Sequence, residues 1–306
     1  MKRPFDICPF DPAVHRQGAL RLWAAVAGFE GAVPARSERE LDTLLADPAC
    51  QGTMRWRVCL ASNDAVVGLL ALRSIGSRRA QLELMVNPTW RRQGIARSLL
   101  AAVPHGRRLL VQSSATSEAA TAFLRAHGFE ERHRELRLRA PRGQVPAVTL
   151  PKWAELIEDK AREVGRYEVM ATKALKEREG FDAGAGAALL SREGTRVFYL
   201  RTPQGDQGVC VVTPQRRARK SERSGDGKPR VGLLEQVGLV RECRGKGLSL
   251  PLIRRGMQAL LEDGYDEWEV MADGRRPQAR SLYEAEGFVV HEEDVHWMRN
   301  EDESVS

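Results

Sequence analysis

Hydrophobic and polar positions along the 306-residue chain alternate between two periods, one suited to strands and one to helices. Apolar and β-branched runs at Phe5–Cys8, Arg55–Ala61, Val66–Arg73 and Ala80–Val86, bounded by turn residues such as Asn63-Asp64, predict strands. Apolar residues spaced by three and four predict helices around His15–Val26 and over Glu38–Leu45, Ile95–Val103 and Glu118–His127. A strand over Leu109–Gln112 separates the last two helices, and another closes this half within Arg134–Arg139. The second half reads as helices from Lys152 to about Leu190, then strands Arg196–Leu200, Gly208–Val212 and Val231–Val240. Helix Leu248–Leu261, strand Glu267–Ala272, helix Pro277–Glu286 and a final strand near Val289 follow.

The order repeats, and so do two short patterns inside it. Arg91-Arg92-Gln93-Gly94-Ile95-Ala96 and Arg244-Gly245-Lys246-Gly247-Leu248-Ser249 both read Arg-x-x-Gly-x-small before an amphipathic helix. Gly128-Phe129 and Gly287-Phe288 each end a second helix, 37 and 43 residues after the loop arginine. A pattern recurring at a similar offset marks a duplicated structural unit. Pro141-Arg142-Gly143-Gln144-Val145-Pro146 suits neither helix nor sheet, so the expected partition is a domain over 1–140, a linker over 141–150 and a domain over 151–300. The predicted class is α+β, two mixed sheets each flanked by helices.

Composition narrows the function. With 42% hydrophobic and 29% charged residues, both halves are expected to fold as soluble domains. The amino terminus lacks a signal-peptide core and no stretch reaches the roughly 20 apolar residues of a membrane span, so a cytoplasmic location without membrane attachment is expected. The five cysteines (Cys8, Cys50, Cys59, Cys210, Cys243) have no metal or disulfide-framework spacing, and neither do the six histidines (His15, His105, His127, His133, His291, His296). No metal cofactor is expected. A net charge of +7 favours anionic partners, but the cations are dispersed rather than striped with aromatics, which counts against nucleic acid. The densest basic stretch, Arg216 to Arg230, reads as a solvated hairpin extension or as a basic lip for an acidic substrate.

A glycine turn running into a helix aims several backbone N–H groups at one point, reinforced by the helix dipole, and so forms an anion site. Gly94 and Gly247 leave room for a pyrophosphate, as do the small Ala96 and Ser249, and Arg91 or Arg244 can add a charge-assisted contact. Neither loop has the Lys-Ser/Thr pair of a Walker A motif or the full Gly-x-Gly-x-x-Gly of a dinucleotide fold.

At these residues the chain resembles the GNAT superfamily of N-acetyltransferases. The likeness lies in Val86-Asn87-Pro88-Thr89-Trp90-Arg91-Arg92-Gln93-Gly94-Ile95-Ala96 and in Arg244–Ser249 together with Ala279–Phe288. It implies a mostly antiparallel sheet in each half whose fourth and fifth strands splay apart to admit the pantetheine arm of acetyl-CoA. The backbone near Met85-Val86 and Leu239-Val240 would pair with that arm, and one N–H there could stabilise a tetrahedral oxyanion. Arg91, Arg92, Gln93, Gly94, Ile95 and Ala96 would hold the pyrophosphate in one half; Arg244, Gly245, Lys246, Gly247, Leu248 and Ser249 would hold it in the other.

The family's tyrosine near the thioester sulfur is matched by Tyr283, whose phenol can protonate or hydrogen-bond a departing thiolate. Leu124 stands at that position in the first half, and Ser117 and Arg276 replace an asparagine often found near the start of that helix. A strand carboxylate, Glu235 or Glu83, is the candidate base for an acceptor ammonium; strand alternation places Glu235 and Gln236 on opposite faces. The implied function is direct transfer of acetyl from acetyl-CoA to a primary amine of a small molecule or peptide, mainly in the C-terminal half. Alternatives are a non-catalytic acyl-CoA sensor, or acetylation of a protein or tRNA-linked amine. Either a monomer or a homodimer is compatible.

Overall fold

The computed structural model describes residues 5–30, 36–50, 56–75, 78–104, 106–177, 186–214 and 229–300. The predicted basic stretch therefore lies largely outside the described residues, as does His105. The chain divides into two compact units, Met1–Arg134 with Asp294–Ser306, and Glu135–Glu293.

In the first unit the order is β1 (Phe5–Pro9), α1 (Pro12–Glu30), α2 (Glu38–Ala46), β2 (Trp56–Ala61), β3 (Val66–Ile75), β4 (Arg79–Val86), α3 (Ile95–Ala101), β5 (Arg108–Ser114) and α4 (Glu118–Ala126). Helix α2 starts at a capping box in which Ser37 and Glu40 satisfy each other's backbone N–H groups. Strand β3 is buried from Val66 to Leu72, which explains its unbroken apolar sequence: it is covered on both faces. One face packs Leu69 and Ala71 with Ala19, Leu22, Trp23 and Leu41 of α1 and α2. The other packs Leu70 and Leu72 with Ile95 and Leu99 of α3 and with Leu124 of α4.

The second unit follows β6 (Glu130–Pro141) with β7 (Glu155–Glu158), α5 (Val164–Leu175), α6 (Gly186–Leu190), β8 (Arg196–Thr202), β9 (Gly205–Pro214), β10 (Val231–Leu239), α7 (Ser249–Glu262), β11 (Glu267–Asp273), α8 (Pro277–Ala285) and β12 (Val289–Arg299). Strand β7 departs from the helical reading of 152–190. Glu155-Leu156-Ile157-Glu158 instead pairs antiparallel with Phe198–Arg201, and the helix begins only at Val164. Helix α7 is seated so closely that a Cβ on Gly256 would lie 2.5 Å from Leu234 and 2.7 Å from Cys210.

Sheet order in the first unit is β1-β2-β3-β4-β5-β12 and in the second β6-β11-β10-β9-β8-β7. The closing strands are thus exchanged. Asp294–Arg299 pair with Leu109–Ser114 of β5 and bring Val295 and Trp297 into the first unit's core. Glu135–Pro141 pair with Glu267–Asp273 of β11 and bring Leu136, Leu138 and Ala140 into the second. This differs from a sequential partition into 1–140 and 151–300, because an amphipathic strand fits either repeat and its sequence period does not say which sheet it joins. No helix among the described residues is long and apolar enough to cross a membrane.

Candidate functional site

In each unit one parallel strand pair opens. Strand β4 pairs with β5 only over Arg79–Gln81 against Arg108–Leu110, leaving Leu82–Val86 unpaired on that side. Strand β10 pairs with β11 only over Val231–Leu234 against Glu267–Val270, leaving the strand free from Glu235 to Leu239. Exposed strand N–H and C=O groups at such an opening need a partner, and an extended ligand arm can supply one.

Which groups face the opening follows from the antiparallel partner on the far side. Val240 donates its N–H to Gln207 O at 2.9 Å, and Asn87 donates to Val67 O at 2.9 Å. In an antiparallel ladder alternate residues turn both backbone groups the same way, so Val240 and Met85 face β9 and β3. Leu239 and Val237, and likewise Val86 and Leu84, face the openings. Of the four residues expected to meet a pantetheine arm, Leu239 and Val86 are suitably turned, and Val240 and Met85 are not.

Both openings lead to a loop of unusual backbone. Gly245 and Gly247 have φ of +73°, Gly94 has +81° and Arg92 has +66°. A left-handed residue beside a right-handed one curls successive N–H groups inward into an anion-binding concavity. Gly245 through Leu248, and Arg92 through Ile95, donate no backbone hydrogen bond among the described residues. A Cβ on Gly94, Gly245 or Gly247 would meet nothing within 4 Å, so the space above each loop is open. Open space over unpaired N–H groups fits the pyrophosphate of acetyl-CoA. Lys246, Gln93, Ile95, Leu248, Ala96 and Ser249 complete these turns at the starts of α3 and α7.

The loop arginines do something else. Arg91 donates from Nε to Val86 O (3.4 Å), and Arg244 donates from Nε to Leu239 O (3.1 Å). Arg244 also reaches Ala174 O and the Glu177 carboxylate, and Arg91 lies over the Phe29 ring. They brace the loops against α5 and α1, where a contact to the anion at the rim was expected.

The units differ at the strand that precedes the loop. Strand β10 carries a bulge between Leu234 and Gln236, whereas β4 pairs with β3 without a register shift. Thr213 donates to Glu235 (3.1 Å), Arg192 pairs with the same carboxylate (3.3 Å), and Tyr167 of α5 donates to Gln236. Leu233 is opposite Thr213 and Gln236 is opposite Val211, so both side chains lie on the α5 face. The expectation that Glu235 and Gln236 face opposite ways is corrected: the extra residue of the bulge cancels one alternation. Two adjacent polar residues in an apolar strand were the available signal.

Counting back from the loop arginine, Glu83 matches Gln236 and not Glu235. Glu83 accepts from Trp23 (3.3 Å) and is ion-paired with Arg36 (2.8 Å). On the same face as Glu235, the buried Glu269 of β11 pairs with Arg139 of β6 at 2.7 Å. Arg192, Thr213, Tyr167 and Glu269 were not singled out in the sequence; each is a partner brought in from a distant element.

Tyr283 lies on α8, 8% exposed, with its ring edge toward Phe288. Leu124 of α4 is buried at the corresponding place in the first unit. Ser117 caps α4 through Ala120 N–H, while Arg276 donates to Glu177 O at 2.7 Å. Cys243 is buried beside the second loop. No group of three or more metal-binding side chains converges among the described residues.

Comparison with known proteins agrees with this architecture. Residues 55–131 match a family model described as an acetyltransferase (GNAT) domain. A mycothiol acetyltransferase from Parafrankia sp. (strain EAN1pec) is 27% identical, the match covering 78% of this chain and 81% of that protein. Another from Geodermatophilus obscurus is 24% identical over 96% of this chain and 97% of its own. Among solved structures, a GCN5-related N-acetyltransferase from Sphaerobacter thermophilus shares the fold at a TM-score of 0.74 and 16% identity, covering 100% of this chain and 98% of that one. A tandem GNAT protein from the clavulanic acid biosynthesis pathway does so at 0.67 and 21%, covering 98% and 100%. Residues 55–131 therefore carry a GNAT acetyltransferase domain, and the chain as a whole shares its fold with tandem GNAT proteins.

Proposed function

We propose that the C-terminal unit transfers an acetyl group from acetyl-CoA directly to a primary amine, with Glu235 as the base and Tyr283 as the acid. The observation that carries this reading is the β10 bulge. It turns Glu235 onto the α5 face beside Gln236 at the point where β10 parts from β11, next to a loop of unpaired N–H groups. Thr213 and Arg192 hold the carboxylate in place, from which it takes a proton from the acceptor ammonium directly or through one water. The Leu239 or Val237 N–H faces the opening and is suited to stabilise a developing oxyanion. Tyr283 then donates to the departing sulfur; because a phenol is a weaker acid than a thiol, the phenolate left behind is the stronger base and regains its proton from the nitrogen as the tetrahedral adduct collapses to the amide.

The N-terminal unit has the same open loop but no bulge and a leucine for the tyrosine. It binds acyl-CoA without turning it over, or serves as structure. The family-model match falls on this unit, over residues 55–131. Because the curated relatives are named mycothiol acetyltransferases, a small polar amine of the mycothiol class is the first acceptor to test.

The test is product formation from acetyl-CoA and such an amine, followed by mass spectrometry. Tyr283→Phe and Glu235→Gln should each lower kcat by about 10²–10⁴ with little change in acetyl-CoA affinity. Equal turnover in both variants and the wild type would overturn the assignment, and binding without turnover of any amine would favour a sensor.

A further inference from the structure

The starts of β4 and β5 carry the same doublet, Arg78-Arg79 before Ala80 and Arg107-Arg108 before Leu109. Parallel register sets Arg79 beside Arg108, and Arg108 donates its backbone N–H to Arg78 O at 2.9 Å, so the doublets lie side by side. Neighbouring strands are about 4.8 Å apart, and like charges directly across that gap repel unless anions sit among them. The side chains of Arg78 and Arg79 make no hydrogen bond or ion pair among the described residues. Arg108 donates to the Asn300 amide oxygen (2.8 Å) and Arg107 to Ser74 Oγ (2.7 Å), both neutral acceptors. Arg73 of β3, by contrast, has a carboxylate partner in Asp47 (3.0 Å). Arg78, Arg79 and Arg108 are exposed. They lie at the end of β4 away from Val86, about 23 Å of strand from the residues that lead into the glycine loop, so they are no part of the acyl-donor site.

Strand β12 lies beside β5, with β4 on the other side. It runs antiparallel to β5, sets Arg299 opposite Leu109 and so delivers Asn300 to Arg108. The next residues in the sequence are Glu301-Asp302-Glu303, whose carboxylates equal the exposed arginines in number. Strand β4 is two strand spacings, about 10 Å, from β12, and an extended residue covers about 3.3–3.6 Å, so three residues are long enough to meet both doublets.

We propose that the paired arginine doublets are a seat for a short acidic peptide, and that the occupant is the run Glu301-Asp302-Glu303 of the same chain. Guanidinium groups accept carboxylates through charge-assisted hydrogen bonds, and a run of carboxylates relieves the repulsion between the doublets. The contact clasps the exchanged strand β12 to β5 in the first unit. It is independent of the function proposed above.

Two measurements on the full-length chain test this. Arg79→Lys supplies an amine that a zero-length carbodiimide can join to a neighbouring carboxylate; peptide mass spectrometry of the monomeric product should find position 79 linked to Glu301, Asp302 or Glu303. No such link, or one found only between two copies of the chain, overturns the proposal. The second measurement is hydrogen exchange at low salt. Glu301→Gln/Asp302→Asn/Glu303→Gln should exchange the Asp294–Arg299 amides about fivefold faster than the wild type, an effect that shrinks at high salt. In an Arg79→Gln/Arg108→Gln background the same three substitutions should change nothing, because their partners are gone. Both substituted arginines are exposed, so this background should fold, and its exchange map checks that. Equal acceleration in the two backgrounds, or none in either, overturns the proposal.

Discussion

Trp297 is near the carboxyl end of the chain, yet it should stabilise the amino-terminal unit. It is 2% exposed in a core with Leu99, Leu109 and Phe129, and its Nε1 donates to Ser113 of β5 at 2.9 Å. Truncating a fully buried tryptophan removes its transfer free energy and leaves a cavity, costing about 3–5 kcal/mol. That is a large share of the roughly 5–15 kcal/mol that holds a domain together. At about 2–4 °C per kcal/mol for a unit of this size, the melting temperature should fall by about 6–20 °C. The assay is hydrogen exchange read peptide by peptide in full-length Trp297→Ala. Protection should drop across Arg108–Ser114 and Ile95–Ala101 while Arg196–Pro214 stays protected. Trp268→Ala, altering a tryptophan 2% exposed in the second unit, should give the opposite map. Loss of protection centred on β8 and β9 in Trp297→Ala would refute the strand exchange.

Three further outcomes follow from the structure. Gly256→Ala should destabilise the second unit by about 1–3 kcal/mol in urea melts, because overlap with Leu234 and Cys210 outweighs alanine's helix advantage of about 1 kcal/mol; a more stable variant would contradict the packing. Glu158 accepts a hydrogen bond from Arg196, which holds its carboxyl below the ordinary range, with Arg255 adding to the effect. A lowered folded-state pKa means this stabilisation is complete above about pH 4–5 and is lost as pH falls through the folded value, so Glu158→Gln should cost stability at pH 7 and progressively less toward pH 3. A constant difference between the two proteins across that range would count against the ion pair. Arg192→Ala should lower kcat more than it raises the amine KM if it positions Glu235, and Arg192→Lys should restore part of the loss; equal KM and kcat effects without rescue would assign it a purely structural role.

Much of this molecule was readable in the sequence because its signals are local. The Arg-x-x-Gly loops, the helices after them and the buried run of β3 each follow from contiguous residues, and all are present. What was not readable depends on pairing between distant segments. The exchange of β6 and β12 depends on which sheet receives a strand, and no periodicity records that. Strand β7 was missed because four residues next to a long helical pattern carry too little alternation to stand out. The bulge at Glu235 reversed a face assignment by one residue, and the bracing role of Arg244 depends on Ala174 and Glu177, about 70 positions away. Candidate residues on a single turn were therefore legible, whereas the partners that orient them came only from the fold.

In the function proposed, the loop after β10 holds the acyl donor for the working unit. Calorimetric titration of acetyl-CoA into the wild type, Gly94→Glu and Gly247→Glu tests it directly, since each variant places a carboxylate in the open space above one loop. Amine acetylation and the associated donor binding should disappear in Gly247→Glu, with turnover persisting in Gly94→Glu. Turnover that survives Gly247→Glu and vanishes in Gly94→Glu, or a wild type that binds no acetyl-CoA, would contradict it.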